Sequence, residues 1–435
     1  MSSAREVAID ALVRVDEGAY ANLVLPGLLR RQKLDGRDRA FATDLVYGTV
    51  RRQGSIDYLL ERASDRSLAD LDAPVRAALR VGTYQLVEDV PAHAAVGETV
   101  TAAATRAKRA RGFVNAVLRR VARFGPDWRW PDGDSVDAVA IRSSHPPWIV
   151  ARLFDDLGVR DAHAVLDADN EPPAVTLRVN PGRDSVEALT AELRGCGAHA
   201  TPGRLAPGSV VVRGAGDLAQ LPAVQEGRAT PQDQASQAVV DILAPVAGER
   251  VLDLAAGPGG KTGAIAERIA GGLVVATDPN PARLVLVKSA AARLGLDAVA
   301  TVLADGRRRP LRADTFDRVL VDAPCSGLGV LARRPDARWR VRPEAVTELA
   351  ALQRELLGAA AAVVRPGGVV VFSVCTLTWE ETREVDAWAT AELPGLVALP
   401  PPGPPFRPWG RGGLLLPHLA GTDGMYVLAL QRALG

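Results

Sequence analysis

The chain has 435 residues, 47% of them hydrophobic, and 52 Lys and Arg stand against 51 Asp and Glu. That length predicts two or three domains with full cores, and the balanced charge gives no overall pull towards nucleic acid. No uncharged apolar run of about eighteen residues exists to cross a bilayer, the first residues lack an apolar signal core, and cysteines at 196, 325 and 375 fit neither a disulfide framework nor a zinc pattern, so a cytoplasmic protein without membrane or metal is expected.

Residues 1–130 read as an all-α domain. Phe41 and Leu45, Val75 and Leu79, and Val114, Val117, Leu118 and Val121 recur at helical spacing. Gly54, Pro74 and Pro91 break the run into short elements. The stretch TRAKRARGFVNAVLRRVARFG (105–125) holds Arg106, Lys108, Arg109, Arg111, Arg119, Arg120 and Arg123 and no acid. With its apolar face turned inward, those cations are free to meet RNA phosphates. A solvated charged face accounts for the run equally well.

RFGPDWRWPDGD (123–134) reads as a linker. Residues 140–228 read as a mixed α/β segment, with a helix from Pro147 to about Ala168 and strands at AVTLRVN (174–180) and GSVVVRGAG (208–216). Cys196 reads as an ordinary buried cysteine.

In residues 229–435, strand-like runs RVLDLA, GLVVATD, AVATVLAD, DRVLVDAP and GGVVVFSVC alternate with helical segments 261–270, 281–294, 343–364 and 380–392. The strands are almost continuously apolar, as burial on both faces requires. A Rossmann-like, doubly wound α/β domain follows from this alternation. PPPGPPFRPWGRGG (400–413) reads as loop and MYVLALQR as a closing strand.

The first strand of that domain runs into AGPGGKTG and then a helix. Glycines at such a turn let backbone approach a ligand closely. A phosphate-binding Walker loop fails because Ala255 stands where its first Gly is required. A dinucleotide fingerprint fails at Thr262. An S-adenosylmethionine loop fits. It accounts for Asp253 within the motif, for Asp278 as the acceptor of both ribose hydroxyls, and for Asp305 as a partner of the adenine amine.

DAPCSGLG places Asp322 and Cys325 just past the fourth strand, and SVCTLTWEE places Cys375 just past the fifth. Ligands of such sheets bind beyond the carboxyl ends of the strands, so both thiols are expected in the cofactor crevice. Cytosine explains why thiols are wanted. Its C5 is too weak a nucleophile to take a methyl group unaided, and a thiolate added to C6 turns it into an enamine carbon. A carboxyl group near N3, such as Asp322, stabilises the charge that develops. A second group assists removal of H5 and release of the thiol. The base must be unstacked to be reached. Arg333, Arg334, Arg338 and Arg340 form a second basic stretch beside this chemistry, with Trp339 placed to stack on a base or to sit in a core.

QDQASQAV (232–239), VLDLAAGPGGKT, Asp278, DAPCSGLG, SVCTLTWEE, PHLAGTDGMYVLAL (417–430) and, more weakly, RVN (178–180) together resemble the Sun family of RNA cytosine-C5 methyltransferases. The likeness is greatest to its bacterial ribosomal small-subunit branch, whose members begin with a NusB-like, RNA-binding helical domain. The resemblance implies that Cys375 is the nucleophile and Cys325 assists release. It also implies that Ala255, Ala256, Gly257, Pro258, Gly259, Gly260, Lys261, Asp278, Asp305 and Asp322 meet S-adenosylmethionine. Small-subunit ribosomal RNA is the implied partner, and a monomer is expected. DNA cytosine methylases use a Pro-Cys thiol instead, which would make Cys325 the nucleophile. A non-catalytic assembly factor with a relic methylase domain, or an enzyme acting on transfer RNA, are the other readings. The chain departs from the family at Ala255-Ala256-Gly257-Pro258, where Cys-Ala-Ala-Pro is common, at Trp379-Glu380-Glu381-Thr382, where Pro-Glu-Glu-Asn is common, and at Leu328, where Thr is common.

Overall fold

A computed structural model describes residues 3–434 except 33, 126, 127, 129, 215, 309 and 310, so part of the expected linker lies outside the described residues. The chain forms two compact units, residues 1–171 with 331–340, and residues 172–330 with 341–435. No described helix is long and apolar enough to cross a membrane.

The first unit is all-helical. Its leading helix, Ala4–Asp16, starts with a capping box in which Ser3 and Glu6 bond each other's backbone. Helices Gly36–Arg51, Gln53–Ala63, Ala73–Val87, Ala92–Ala104 and Arg111–Ala122 follow. The periodic residues Leu45, Val75, Leu79, Val114, Val117, Leu118 and Val121 are buried in one core with Ile9, Ile56 and Leu60. The helix expected from Pro147 is two helices, Pro147–Leu157 and Val159–Asn170, broken at Gly158, whose φ of +80° only glycine adopts cheaply.

Residues 331–340 belong to this helical unit, which corrects the expectation of a second free basic stretch. Arg338 is fully buried. Its guanidinium donates to the carbonyls of Ser144 (3.1 Å) and Asp169 (3.0 Å) and to Asn170 Oδ1 (2.9 Å). Burial pushes it down to about 10, with Asp169 opposing. The Trp339 indole N–H donates to the Val50 carbonyl at 3.1 Å, and its ring packs on the helical core. Arg340 reaches the Gly18 carbonyl at 3.0 Å. Of the four arginines, only Arg334 is exposed. Arg338 and Arg340 serve as internal hydrogen-bond donors to backbone carbonyls.

The second unit contains two sheets. The smaller is antiparallel, in the order β2-β3-β1-β4, from β1 (Val175–Val179), β2 (His199–Pro202), β3 (Ser209–Arg213) and β4 (Ala229–Pro231). Helix Val186–Gly195 packs on it through Leu189 and Leu193. Cys196 caps the end of that helix and is exposed, contrary to the expectation of a buried thiol.

The larger sheet contains β5 (Arg250–Asp253), β6 (Leu273–Asp278), β7 (Val299–Leu303), β8 (Phe316–Asp322), β9 (Val364–Val374), β10 (Leu396–Ala398), β11 (Arg407–Trp409), β12 (Gly412–Leu415) and β13 (Met425–Arg432). Its order is β11-β12-β13-β9-β8-β5-β6-β7, with β10 paired to β13. Strands β5 to β9 pair in parallel, and β10 to β13 add antiparallel. The stretch 400–413 is therefore not all loop. Its end supplies β11 and the start of β12, because pairing of β12 along β13 and of β11 along β12 tolerates a short run that no hydrophobic alternation announces. β5 lies between β6 and β8, so the order reverses at β5 and opens a crevice beyond its carboxyl end.

Candidate active site

The glycine-rich turn after β5 is shaped by close approach. A Cβ on Gly257 would stand 2.6 Å from Asp278 Oδ2 and 2.5 Å from Arg283 Cβ. Asp278, at the end of β6 and 2% exposed, takes the Gly257 N–H on Oδ2 (3.1 Å) and the Asn280 N–H on Oδ1 (2.8 Å). Each oxygen keeps a further lone pair, so the carboxylate can still accept from a diol. Asp305, two residues past β7, is half-buried and paired with Arg307 at 2.7 Å; that hydrogen bond holds its carboxyl below the ordinary range. The acceptor-rich rim and glycine-rich turn fit the ribose and close backbone contact of S-adenosylmethionine. Asp253 serves the interior instead. It accepts from the Thr262 hydroxyl at 2.7 Å, and burial pushes it up to about 7 against that bond.

Lys261, next in the turn, donates to Asp322 Oδ2 at 2.7 Å. The other oxygen of Asp322 takes the Ser373 hydroxyl at 2.8 Å, across the β8–β9 register that places these two residues opposite each other. Burial lowers Lys261, but Asp322, and after it Cys375 and Asp253, outweigh burial and hold the ammonium above its ordinary value.

The two expected thiols do meet. Cys325 Sγ and Cys375 Sγ lie 3.3 Å apart, both half-buried. The hydrogen bond with Cys375 and then burial push the Cys325 thiol well up. The Gly329 N–H donates to the Cys375 carbonyl at 2.9 Å, and Gly424 N–H to the Gly329 carbonyl at 2.7 Å, which joins the DAPCSGLG, SVC and GTDG motifs in one cluster. A Cβ on Gly329 would stand 2.5 Å from the Gly424 carbonyl oxygen.

Several supporting residues carry no signal of periodicity. Arg178, on β1 and 4% exposed, donates to the Gly260 carbonyl (2.7 Å), to Glu267 (2.9 Å) and to Gln232, so the RVN and QDQ motifs brace the cofactor turn. Glu381, fully buried, accepts from the Ser326 N–H (2.8 Å) and hydroxyl (2.5 Å) and from the hydroxyls of Thr376 and Thr378, both at 3.0 Å. Only its place in the TWEE motif singled it out in sequence.

The expected RNA-contacting cations divide. Arg106 is turned onto Asp10 (2.6 Å) and Arg120 onto Asp65 (2.8 Å). Lys108, Arg109, Arg111, Arg119 and Arg123 are exposed. Arg119 and Arg123 line a groove of about 620 Å³ with His93 and Asn115.

Comparison with known proteins agrees with this architecture. The family model for 16S rRNA methyltransferase RsmB/F matches residues 240–431, the NusB family model residues 2–123, and a ferredoxin-like domain model of RsmF/B-like methyltransferases residues 145–219. The methyltransferase Rv1407 of Mycobacterium tuberculosis is 43% identical over 99% of this chain and 97% of its own. Ribosomal RNA small subunit methyltransferase B of Pseudomonas putida is 36% identical over 98% of both, and that of Vibrio cholerae 34% over 98% and 97%. The crystal structure of PH0851 superposes with a TM-score of 0.87 over 99% of each chain at 24% identity, and so shares the fold. With likeness at these identities along its whole length, the chain belongs to the RsmB/F family of rRNA methyltransferases.

Proposed function

We propose that the protein transfers a methyl group from S-adenosylmethionine to C5 of a cytosine in small-subunit ribosomal RNA, through a covalent bond between Cys375 and C6. The observation that carries this reading is the pair of sulfurs 3.3 Å apart, one of them three residues past Asp322, which Lys261 of the cofactor turn holds at 2.7 Å. The names borne by the Vibrio and Pseudomonas relatives support the choice of RNA.

When bound, S-adenosylmethionine supplies the electrophilic methyl group. The chain supplies the rest. Asp278 and the turn 255–261 hold the nucleoside, and Asp305 accepts from the adenine amine. The Lys261 ammonium offsets the negative charge that attack develops on the base. Asp322, fixed by Lys261 and Ser373, faces N3. After methylation, Cys325 gives its proton to the departing Cys375 sulfur and takes H5 in return. Both residues end as thiols, and loss of one proton to solvent restores the Cys375 thiolate. This balances the single proton that the overall reaction releases.

The chain divides, in this reading, into an RNA-binding helical domain over 1–130, an intermediate segment over 140–228 and a catalytic domain over 229–435. The five exposed cations of the helical domain meet phosphates. The test is incubation of the protein with methyl-labelled S-adenosylmethionine and deproteinised small-subunit RNA, followed by digestion to nucleosides. Label in 5-methylcytidine is expected. Binding of the labelled cofactor with no transfer to any RNA would favour a non-catalytic assembly role instead.

A further inference from the structure

The TWEE motif places a carboxylate where the chemistry described above does not use one. Glu381 is fully buried, yet no Lys or Arg is hydrogen-bonded to it among the described residues. An ionised carboxylate in such surroundings is costly unless its lone pairs are filled. They are filled by neutral donors. Oε1 takes the Ser326 N–H (2.8 Å) and the Gln353 amide (3.0 Å), and Oε2 takes the hydroxyls of Ser326, Thr376 and Thr378. The Ser326 and Thr376 hydroxyls also meet each other at 2.8 Å. Gln353 donates in addition to the Pro324 carbonyl at 2.9 Å.

These partners are the neighbours of the thiols. Pro324 and Ser326 flank Cys325, and Thr376 follows Cys375. The two thiol loops come from different strands and carry no ion pair with each other among the described residues. One acceptor-only group therefore gathers donors from both. We propose that Glu381 is a positioning residue, a buried carboxylate clamp that sets the Cys325 loop against the Cys375 loop and so fixes the approach of the two sulfurs.

The inference rests on the proposed roles of the thiols only for its effect on methylation; the clamp itself has its own readout. In a Cys196→Ser background, diamide oxidises the two remaining thiols to a disulfide and is itself reduced to the hydrazine. The rate of closure reports how often the sulfurs meet. Glu381→Ala removes every acceptor, and is expected to slow closure and single-turnover methylation together, by about a hundredfold for a misplacement near 1 Å. Affinity for S-adenosylmethionine should be unchanged, because Glu381 touches none of the cofactor turn. Glu381→Gln keeps the size, so it guards against loss of folding. Its amide can stand among the hydroxyls, which can rotate to accept, and so an intermediate effect is expected. Glu381→Asp is too short to span both loops and should resemble Ala.

Closure at the wild-type rate in a folded Glu381→Ala or Glu381→Gln protein would overturn the clamp. A wild type that methylates no RNA, but whose closure depends on Glu381, would leave the clamp standing and remove the proposed function. Slow closure with an equal loss of cofactor affinity would show a general loss of structure and would also overturn it.

Discussion

Two residues of the same type, 3.3 Å apart, stand in different electrostatic surroundings. The Cys325 thiol is raised by its bond to Cys375 and then by burial, with Glu381 adding negative charge. Position beyond strands β8 and β9 was readable from the motifs, but the approach of the two sulfurs and the Lys261–Asp322 pair were not, because the partners lie 50 and 61 positions apart in the chain. Asp253 provides a separate test at this scale. Its carboxyl is raised to about 7, so its neutral form suits the fold. That contribution is fully present below the unfolded value of about 4 and is lost as pH rises through 7. Asp253→Asn keeps an acceptor for Thr262. Its thermal midpoint should therefore vary less with pH between 4 and 8 than that of the wild type, the difference corresponding to on the order of 4 kcal/mol at most. Parallel midpoint curves for the two proteins would contradict the assignment.

At the scale of elements, the cofactor turn is held from outside its own domain core. Arg178 on β1 bonds the Gly260 carbonyl and the buried Glu267 of the following segment. Arg178→Met leaves the buried Glu267 carboxylate without its hydrogen-bonded partner, and should cost about 3–5 kcal/mol in urea unfolding. Adding Glu267→Gln should recover most of that loss, which a merely steric role for Arg178 would not allow. The strands and helices of this region were legible because buried parallel strands are continuously apolar and three of the helices between them begin at Gly260, Pro281 and Pro343. Helix Pro281–Leu294 falls on its expected bounds. Strands β11 and β12 were not legible, since Gly412–Leu415 owes its conformation to pairing along β13 and Arg407–Trp409 to pairing along β12. Cys196 was misjudged for a related reason. Its residue type favours burial, but the helix it caps turns that position outward.

For the molecule as a whole, the near-zero net charge conceals local sorting. In the helical unit Lys108, Arg109, Arg111, Arg119 and Arg123 are exposed, while Arg106 and Arg120 are neutralised by Asp10 and Asp65. Replacing Lys108, Arg109 and Arg111 together by Gln should weaken RNA binding, and should lower the slope of log affinity against log salt by about 2, at roughly 0.7 per phosphate contact for single strands. Turnover at saturating RNA should hold. An unchanged slope would place the RNA elsewhere. The opposite lesson comes from residues 331–340, where four arginines in eight residues looked like a nucleic-acid surface. Arg338 and Arg340 instead satisfy carbonyls of the helical unit. Composition counts charges, but only the fold decides whether a charge faces solvent or a carbonyl.

The central claim is that Cys375 forms the bond to the base and Cys325 breaks it. Its most direct measurement is denaturing electrophoresis of the protein after incubation with S-adenosylmethionine and labelled small-subunit RNA. Cys325→Ser should retain attack and accumulate a covalent protein–RNA adduct, and Cys375→Ser should form none and transfer no methyl group. An adduct with Cys375→Ser but none with Cys325→Ser would reverse the two roles and contradict the account.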